Sequence, residues 1–506
     1  MSIAATPGDA GPAADIAAIA KGGRTNIIGF ALRLAARIPF LFVAGRLYGA
    51  ELVGRFALAV VVVELAALLA TLGMKRGLAQ ALSESDRPHA HVAWDALAVA
   101  LLASIGASAL LFAFPGLMYR ISPPHGLARL LPGIVFAIAW SDLSLAALAY
   151  RHNVRATVTA RAVIEPWTIS IAATLLYFIA PRDGLEIAYM LSMVAALIAS
   201  VVPFVRSYGL PHGWNPRLAT IATLARHNMP LAGADAIEWA TRNVDRFILG
   251  QLFAPSVVGI YYMAQQIASL PGRLKTSFDP ILGPVITTSL ARGDRQAVAK
   301  QIRQVGFWIM AGQAGLALMG SIPGEAVMGT IGPQFVGGTA ALAFLLTAEV
   351  VASMAAVSES ALVYVARHRN LMISAAMLSF QIALSFALIF AMRALGWPPN
   401  YQAAGPAIAL MLSLGTTSIL KSRLLAHLLE ARVSGWRWPM LWAALVAIVV
   451  GTIFTSLPHR FEWVELVFGL PAIGASYALV LWRWAFAPED RALFKRAPVD
   501  QAAAAG

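Results

Sequence analysis

An all-α integral membrane protein is the fold class that this sequence predicts, with about fourteen transmembrane helices as two repeat-related six-helix lobes plus two C-terminal helices. Three observations predict it. The 506-residue chain is 59% hydrophobic and 12% charged, with a mean hydropathy of +0.71, whereas a soluble domain carries roughly 25% charged residues. Nearly uncharged stretches, each close to the ~20 residues that cross hydrocarbon, recur through most of its length. One phrase also occurs twice, as "LFVAGRLYGAELVGRFALA" from Leu41 and as "RFILGQLFAPSVVGIYYMA" from Arg246.

Taken in order, the first spans are expected near 26–47, 51–74, 90–114, 127–150, 155–179 and 185–206. The second set is expected near 228–251, 256–278, 300–322, 335–362, 370–392 and 402–425, followed by 438–457 and 464–485. The loops between them alternate in charge. Lys75, Arg76 and Arg87, then Arg151 and Arg155, then Arg206, Arg217 and Arg226, open one basic series. That series continues through Arg292, Arg295, Lys300 and Arg303 to Arg367 and Arg369, then to Lys421, Arg423, Arg432 and Arg437, and on to Arg483 and Arg491. The intervening loops are nearly bare, and Pro123–Pro124 and Trp397–Pro398–Pro399 punctuate them. The positive-inside rule makes the basic series cytoplasmic, with both termini on that side and an even number of spans. The net charge of +13 is therefore a topology signal. No basic block interleaved with aromatics points to nucleic acid.

The domain layout follows. Residues 1–25 form a cytoplasmic tail without the basic n-region of a signal peptide, 26–206 the N-lobe, 207–227 a cytoplasmic linker and 228–428 the C-lobe. Residues 429–485 hold the last two spans and 486–506 a cytoplasmic tail. The repeated phrases align without gaps at an offset of 205, which pairs Arg37 with Arg242, Gly45 with Gly250 and Val53–Gly54 with Val258–Gly259. "LAYRHNVR" from Leu148 resembles "LVYVARHR" from Leu362 in the same sense. An even number of spans per copy gives both copies one orientation, and such parallel repeats are typical of transporters, with the substrate site between the halves.

Charges inside spans are costly and usually face an interior or a water-filled cavity. Arg33 and Arg37 share one face of the first span, four residues apart. In the seventh, Asp235, Glu238, Arg242, Asp245 and Arg246 form one stripe at helical spacing. Two readings of that stripe stand side by side: internal ion pairs such as Glu238 with Arg242, or arginines that meet an anion through guanidinium geometry. The first span supplies no acid of its own, which favours a cavity role. Glu64, Asp142 and Glu165, together with Asp235, Glu238 and Asp245, are candidates for ion coupling or gating. Glu349 and Glu359 are further acids of the tenth span, and the alternative for each lone acid is a neutral, protonated carboxyl hydrogen-bonded to a neighbour or a partner for an arginine such as Arg161. Tyr261 and Gln265 share a polar face of the eighth span and are candidate sugar contacts.

What is missing also constrains function. Cysteine is absent, which excludes disulfides and thiolate metal sites. No Walker P-loop, HExxH or GxSxG motif occurs, so no cofactor, no metal and no catalytic residue is expected, and transport is expected to run without ATP hydrolysis by this chain.

"NVDRFILGQLFAPSVVGIYYMAQQIASLP", Asn243 to Pro271, resembles the central signature of Wzx-type polysaccharide flippases, within the multidrug/oligosaccharidyl-lipid/polysaccharide exporter superfamily. The matching positions are Asp245, Leu249, Gly250, Val258, Gly259, Tyr261 and Ala264. The resemblance implies two six-helix lobes around a cationic cavity that moves a polyprenyl-diphosphate-linked oligosaccharide to the periplasmic leaflet of a bacterial inner membrane. Carried over by position, Arg37 and Arg242 are the first headgroup contacts and Arg33 and Arg246 the next. Its expected partners are the lipid-linked oligosaccharide, membrane lipids and the polysaccharide polymerase and chain-length machinery, with no nucleic acid and a functional monomer. The alternatives are a peptidoglycan-precursor flippase, a drug–cation antiporter of the same superfamily and, from another class, a membrane glycosyltransferase or polymerase. The short bare loops speak against the last.

Overall fold

The computed structural model describes residues 35–119, 126–151, 153–272, 274, 279–458, 462–488 and 490. Helices and their connections make up the described residues, with no strand among them. In hydrocarbon a helix satisfies its own backbone groups, and an open sheet cannot.

Helix α1 (Ile38–Val43) continues into a π-helical turn, Ala44–Tyr48, and Gly49 at φ +78° redirects the chain into α2 (Gly49–Ala70). Leu72 and Gly73 both take positive φ, and this left-handed break separates α2 from the amphipathic α3 (Met74–Glu84). Then come α4 (His89–Ala113), α5 (Ile134–Tyr150), α6 (Glu165–Ile179) and α7 (Gly184–Tyr208). A short helix, Val154–Val158, and a π-helical turn, Thr159–Ile164, lead into α6.

The second half opens with α8 (Leu218–Leu252) and α9 (Pro255–Gly272), whose first residue is a proline pre-set for a helix start. Then follow α10 (Asp279–Ala291), α11 (Arg295–Ser321), α12 (Gly324–Ile331), α13 (Thr339–Val365), α14 (Arg367–Ala394) and α15 (Gly405–Leu429). Asp294 caps α11 by accepting from the Ala297 amide at 2.8 Å. The last pair is α16 (Pro439–Thr455) and α17 (Leu470–Val480).

Each expected span falls on helix where it is described. Nine helical runs among the described residues are long and apolar enough to cross a membrane, or ten if α11 and α12, bent by 73°, form one span. The number of crossings thus rests on composition as well as length. α8 and α9 miss that test because α8 carries the charged stripe and α9 a polar face. α8 also begins at Leu218, inside the stretch expected as a linker. No proline or glycine interrupts Leu218–Met229, and Pro230 is accommodated within the helix.

Buried apolar side chains form two clusters. One joins α2, α4, α5 and α7 to α9 and α13, and the other joins α10, α11, α16 and α17 to the ends of α13 and α15. Between helices already surrounded by lipid, small residues allow close backbone approach. The tightest crossing is α2 on α9. A Cβ on Gly54 would lie 1.7 Å from the Pro255 carbonyl oxygen, and one on Gly259 would lie 1.9 Å from that of Ala50. Only glycine fits either position.

Candidate functional site: a charged cavity beside the α2–α9 crossing

Below that crossing, α1, α2, α6, α7 and α9 enclose a cavity of about 110 Å³. Arg37, which precedes α1, lines it together with Glu64, Glu165, Tyr189, Tyr262 and Gln266. Arg37 has no ion-pair partner among the described residues. Glu64 accepts a hydrogen bond from the Tyr189 hydroxyl at 3.3 Å. Arg246 stands behind the wall, buried, with its guanidinium carbon 5.6 Å from the centre of the Tyr262 ring. It donates to Asn243, and its Nε is buried without a partner among the described residues.

The charged stripe of α8 does not neutralise itself. Glu238 pairs with Arg76 at the start of α3, and the same guanidinium reaches Asp235 at 2.7 Å. Arg242 turns to α13 and bonds Glu349 at 2.6 Å. Asp245, fully buried, pairs with no arginine side chain among the described residues. It accepts from the Tyr261 hydroxyl at 2.5 Å, from Gln265 at 3.2 Å and from the Arg246 amide at 2.8 Å. The hydrogen-bonding groups of Tyr261 and Gln265, the candidate sugar contacts, are thus directed at Asp245, and Gln265 also donates to the Arg242 carbonyl at 2.8 Å. Arg33 lies outside the described residues.

The acids of the first half make a ladder. Glu165, on the cavity wall, takes Arg161 at 2.8 Å, and Arg161 also bonds Asp142. Asp142 in turn holds Lys75 at 3.0 Å, where half of the lysine side chain is exposed at the basic end of the bundle. A line of alternating charge therefore runs from the cavity to that end. At the opposite end Arg55 is held by Asp183 at 2.7 Å and lies 3.7 Å from Glu186. There Arg46 donates to the Thr330 carbonyl at 2.9 Å and Gln334 to that of Gly45 at 3.2 Å, which ties α1 to α12.

Arg37, Glu64 and Glu165, singled out separately in the sequence, line one cavity here, together with Tyr189, Tyr262 and Gln266, which the sequence reading did not single out. Tyr262 and Gln266 are one residue beyond Tyr261 and Gln265, on the neighbouring face of α9, so the periodicity of that helix was the usable signal. Arg76 was read only as a loop cation, because nothing local indicates that α8 lies over it.

Chemically, the cavity offers one guanidinium, two carboxylates, phenols and an amide in an otherwise apolar bundle. Such a set can hold a small charged group by ion pairing and hydrogen bonding. At about 110 Å³ it accommodates a few waters or one small ionic group, and an oligosaccharide enters only if the helices separate.

Comparison with known proteins agrees with this geometry. Residues 28–287 match the family described as polysaccharide biosynthesis protein, and the chain belongs to that family. Among solved structures it is similar to the lipid II flippase MurJ in an inward closed conformation, with a TM-score of 0.68 at 13% identity over 92% of this chain and 97% of that one. It is also similar to a multidrug resistance MATE family transporter of the MOP superfamily in its inward-facing conformation, with a TM-score of 0.59 at 13% identity over 82% and 99%. A MOP superfamily transporter from Pyrococcus furiosus, described as having a binding pocket of reverse polarity, gives 0.59 at 13% identity over 84% and 98%. A comparison with curated protein sequences gives no match. The protein is thus a multi-pass membrane protein with the fold of these transporters, as the resemblance to Wzx-type flippases implies.

Proposed function

We propose that this protein moves a polyprenyl-diphosphate-linked oligosaccharide from the cytoplasmic to the periplasmic leaflet of a bacterial inner membrane, for cell-surface polysaccharide. It acts as a secondary transporter by alternating access between an N-lobe, 26–206, and a C-lobe, 228–428, with 429–485 appended and both termini cytoplasmic. The observation that carries this reading is Arg37, unpaired among the described residues and lining a cavity in an apolar bundle. An arginine in such a place suits a diphosphate, while the lipid tail remains in the bilayer. In this reading Arg37 and Arg242 contact the diphosphate, and Arg242 leaves Glu349 to do so. Arg33 and Arg246 add positive potential, and Glu64 and Glu165 set the charge of the empty carrier.

A peptidoglycan-precursor flippase is the second reading, supported by the likeness to the lipid II flippase. Both cargoes are diphosphate-linked saccharides. The test reconstitutes the protein in vesicles holding fluorescent lipid-linked oligosaccharide in one leaflet and reads its distribution by quenching from outside. Protein-dependent equilibration of the oligosaccharide carrier supports the first reading. Equilibration of lipid II alone favours the second, and movement of neither overturns both.

A further inference from the structure

The seam between the two halves of the chain is closed by different chemistry at its two ends. Near Gly54 and Gly259 it is backbone on backbone, with hydrogen bonds from Arg46 and Gln334 to main-chain carbonyls beside it. At the basic end α8 lies over α3, where a Cβ on Gly77 would come within 1.7 Å of Asn228 Oδ1 and one on Gly73 within 2.5 Å of the Ala232 amide nitrogen. The polar joint there is Arg76. Its Nε meets Asp235 Oδ1 at 2.7 Å, its terminal nitrogen bonds Glu238, and Glu359 of α13 is near enough to act on the same charge.

The two sides of this joint are unequally protected. The Arg76 side chain is 49% exposed, whereas that of Asp235 is 7% exposed. Asp235 Oδ2 is buried and accepts no hydrogen bond among the described residues. Lys75 adds a second cation nearby, but its ammonium is on Asp142. The buried carboxylate of Asp235 therefore has Arg76 as its sole ion-pair partner among the described residues. Taking the partner from a buried charge is far costlier than taking one from a charge in water.

We propose that Arg76 is an anion-responsive latch. A phosphate-bearing headgroup arriving at the basic end engages the half-exposed guanidinium, for which phosphate is a bidentate partner. Arg76 then leaves Asp235 and Glu238, and the stranded carboxylate regains solvation only when water enters between α8 and α3. Anion capture and opening of the seam become one event. A ligand shifts such an equilibrium only through its different affinity for the two states, and here the open state is the one that frees Arg76. This inference rests on the reading that the cargo carries a diphosphate, and it adds a first contact outside the cavity.

The chain has no cysteine, so spin labels on Ala79→Cys in α3 and Ala222→Cys in α8 report the seam directly. Full-length protein in nanodiscs is measured by pulsed electron resonance with inorganic pyrophosphate, with polyprenyl diphosphate in the nanodisc lipid, or with chloride at equal ionic strength. Either diphosphate is expected to lower the closed-to-open ratio by about tenfold and chloride to leave it unchanged. Response to the lipid form alone assigns the trigger to a headgroup with its tail, and response to both assigns it to the anion itself. Arg76→Gln is expected to sit open and unresponsive. Asp235→Asn, which removes the stranded charge, is expected to stay closed with either probe, and Arg76→Lys to respond weakly. No change with either diphosphate in the parent protein, or an undiminished response in Arg76→Gln, overturns the proposal. The distance measurement is independent of leaflet transfer, so a silent latch in a protein that still moves labelled cargo refutes the latch alone.

Discussion

Gly54 and Gly259, 205 residues apart in the sequence, meet at the centre of the α2–α9 crossing, each placing its Cα where a Cβ would press on the other. A Cβ on Gly54 would lie 2.9 Å from the Gly259 nitrogen, and one on Gly259 would lie 2.8 Å from the Gly54 nitrogen. The contact is reciprocal, since Ala50 and Pro255, whose carbonyls complete it, are also 205 apart. The internal repeat read from the sequence thus corresponds to a local two-fold relationship between α2 and α9.

Gly54→Val and Gly259→Val are expected to force these helices apart. Overpacking costs roughly 1–3 kcal/mol and more where backbone is the obstacle, so a lowered Tm in detergent and loss of transport are expected in both. Gly106, with nothing within 4 Å of its would-be Cβ, provides the control, and Gly106→Ala should leave Tm unchanged or slightly raised.

Arg242 and Glu349 can be separated by a double substitution. Arg242→Gln alone leaves a mostly buried carboxylate unpaired, with a loss of about 1 kcal/mol after allowance for the exposed arginine. In Arg242→Gln with Glu349→Gln that stability should return. If transport returns too, Arg242 serves only to neutralise Glu349. Transport that stays lost while Tm recovers is the expected result, because the cargo then lacks its cation.

Arg161 holds two acids at once, so Arg161→Gln should be among the most damaging single changes, at roughly 3–5 kcal/mol. Lys75→Gln removes a half-exposed cation from the same ladder and should cost less than about 1 kcal/mol. Thermal unfolding of the pair of variants side by side checks the ranking, and equal losses would mean that the ladder is not a connected unit.

Tyr261→Phe removes the hydroxyl that Asp245 accepts from at 2.5 Å. Leaving a buried acceptor short of one partner costs roughly 1–3 kcal/mol. Tyr261→Phe should therefore lower Tm in that proportion, whereas Tyr262→Phe, on the cavity wall, should change transport more than Tm.

The helical layout was legible because hydropathy and loop charge are local properties. Even α8, whose charged stripe lowers its overall hydropathy, was placed by its apolar remainder and the loop breaks on either side, although its first turns were taken for linker. The repeat was legible too, down to the glycines that touch. Partner choice was not. Glu238 stands four residues before Arg242, the spacing of a favourable helical pair, yet it bonds Arg76, 162 residues away. Competition among several helices for one charge is decided by tertiary packing. The same limit hid Tyr189 and Glu349 as partners of Glu64 and Arg242. The two-fold frame also carries unlike chemistry: Phe40 and Phe56, with ring centres 6.0 Å apart, occupy the positions that Asp245 and Tyr261 hold in the second copy.

The charge ladder bears on how the protein responds to voltage. Arg161 with Asp142 and Glu165, and Arg55 with Asp183, are cations bound to anions within the first half of the chain. Moving such a pair as a unit through the membrane field displaces little net charge. A diphosphate headgroup is different: each elementary charge that crosses a potential of 100 mV changes its energy by about 2.3 kcal/mol. With the cytoplasm negative, that work favours outward movement of an anion. For the diphosphate cargo proposed above, that electrical force would give transport a direction without any ion having to be carried back.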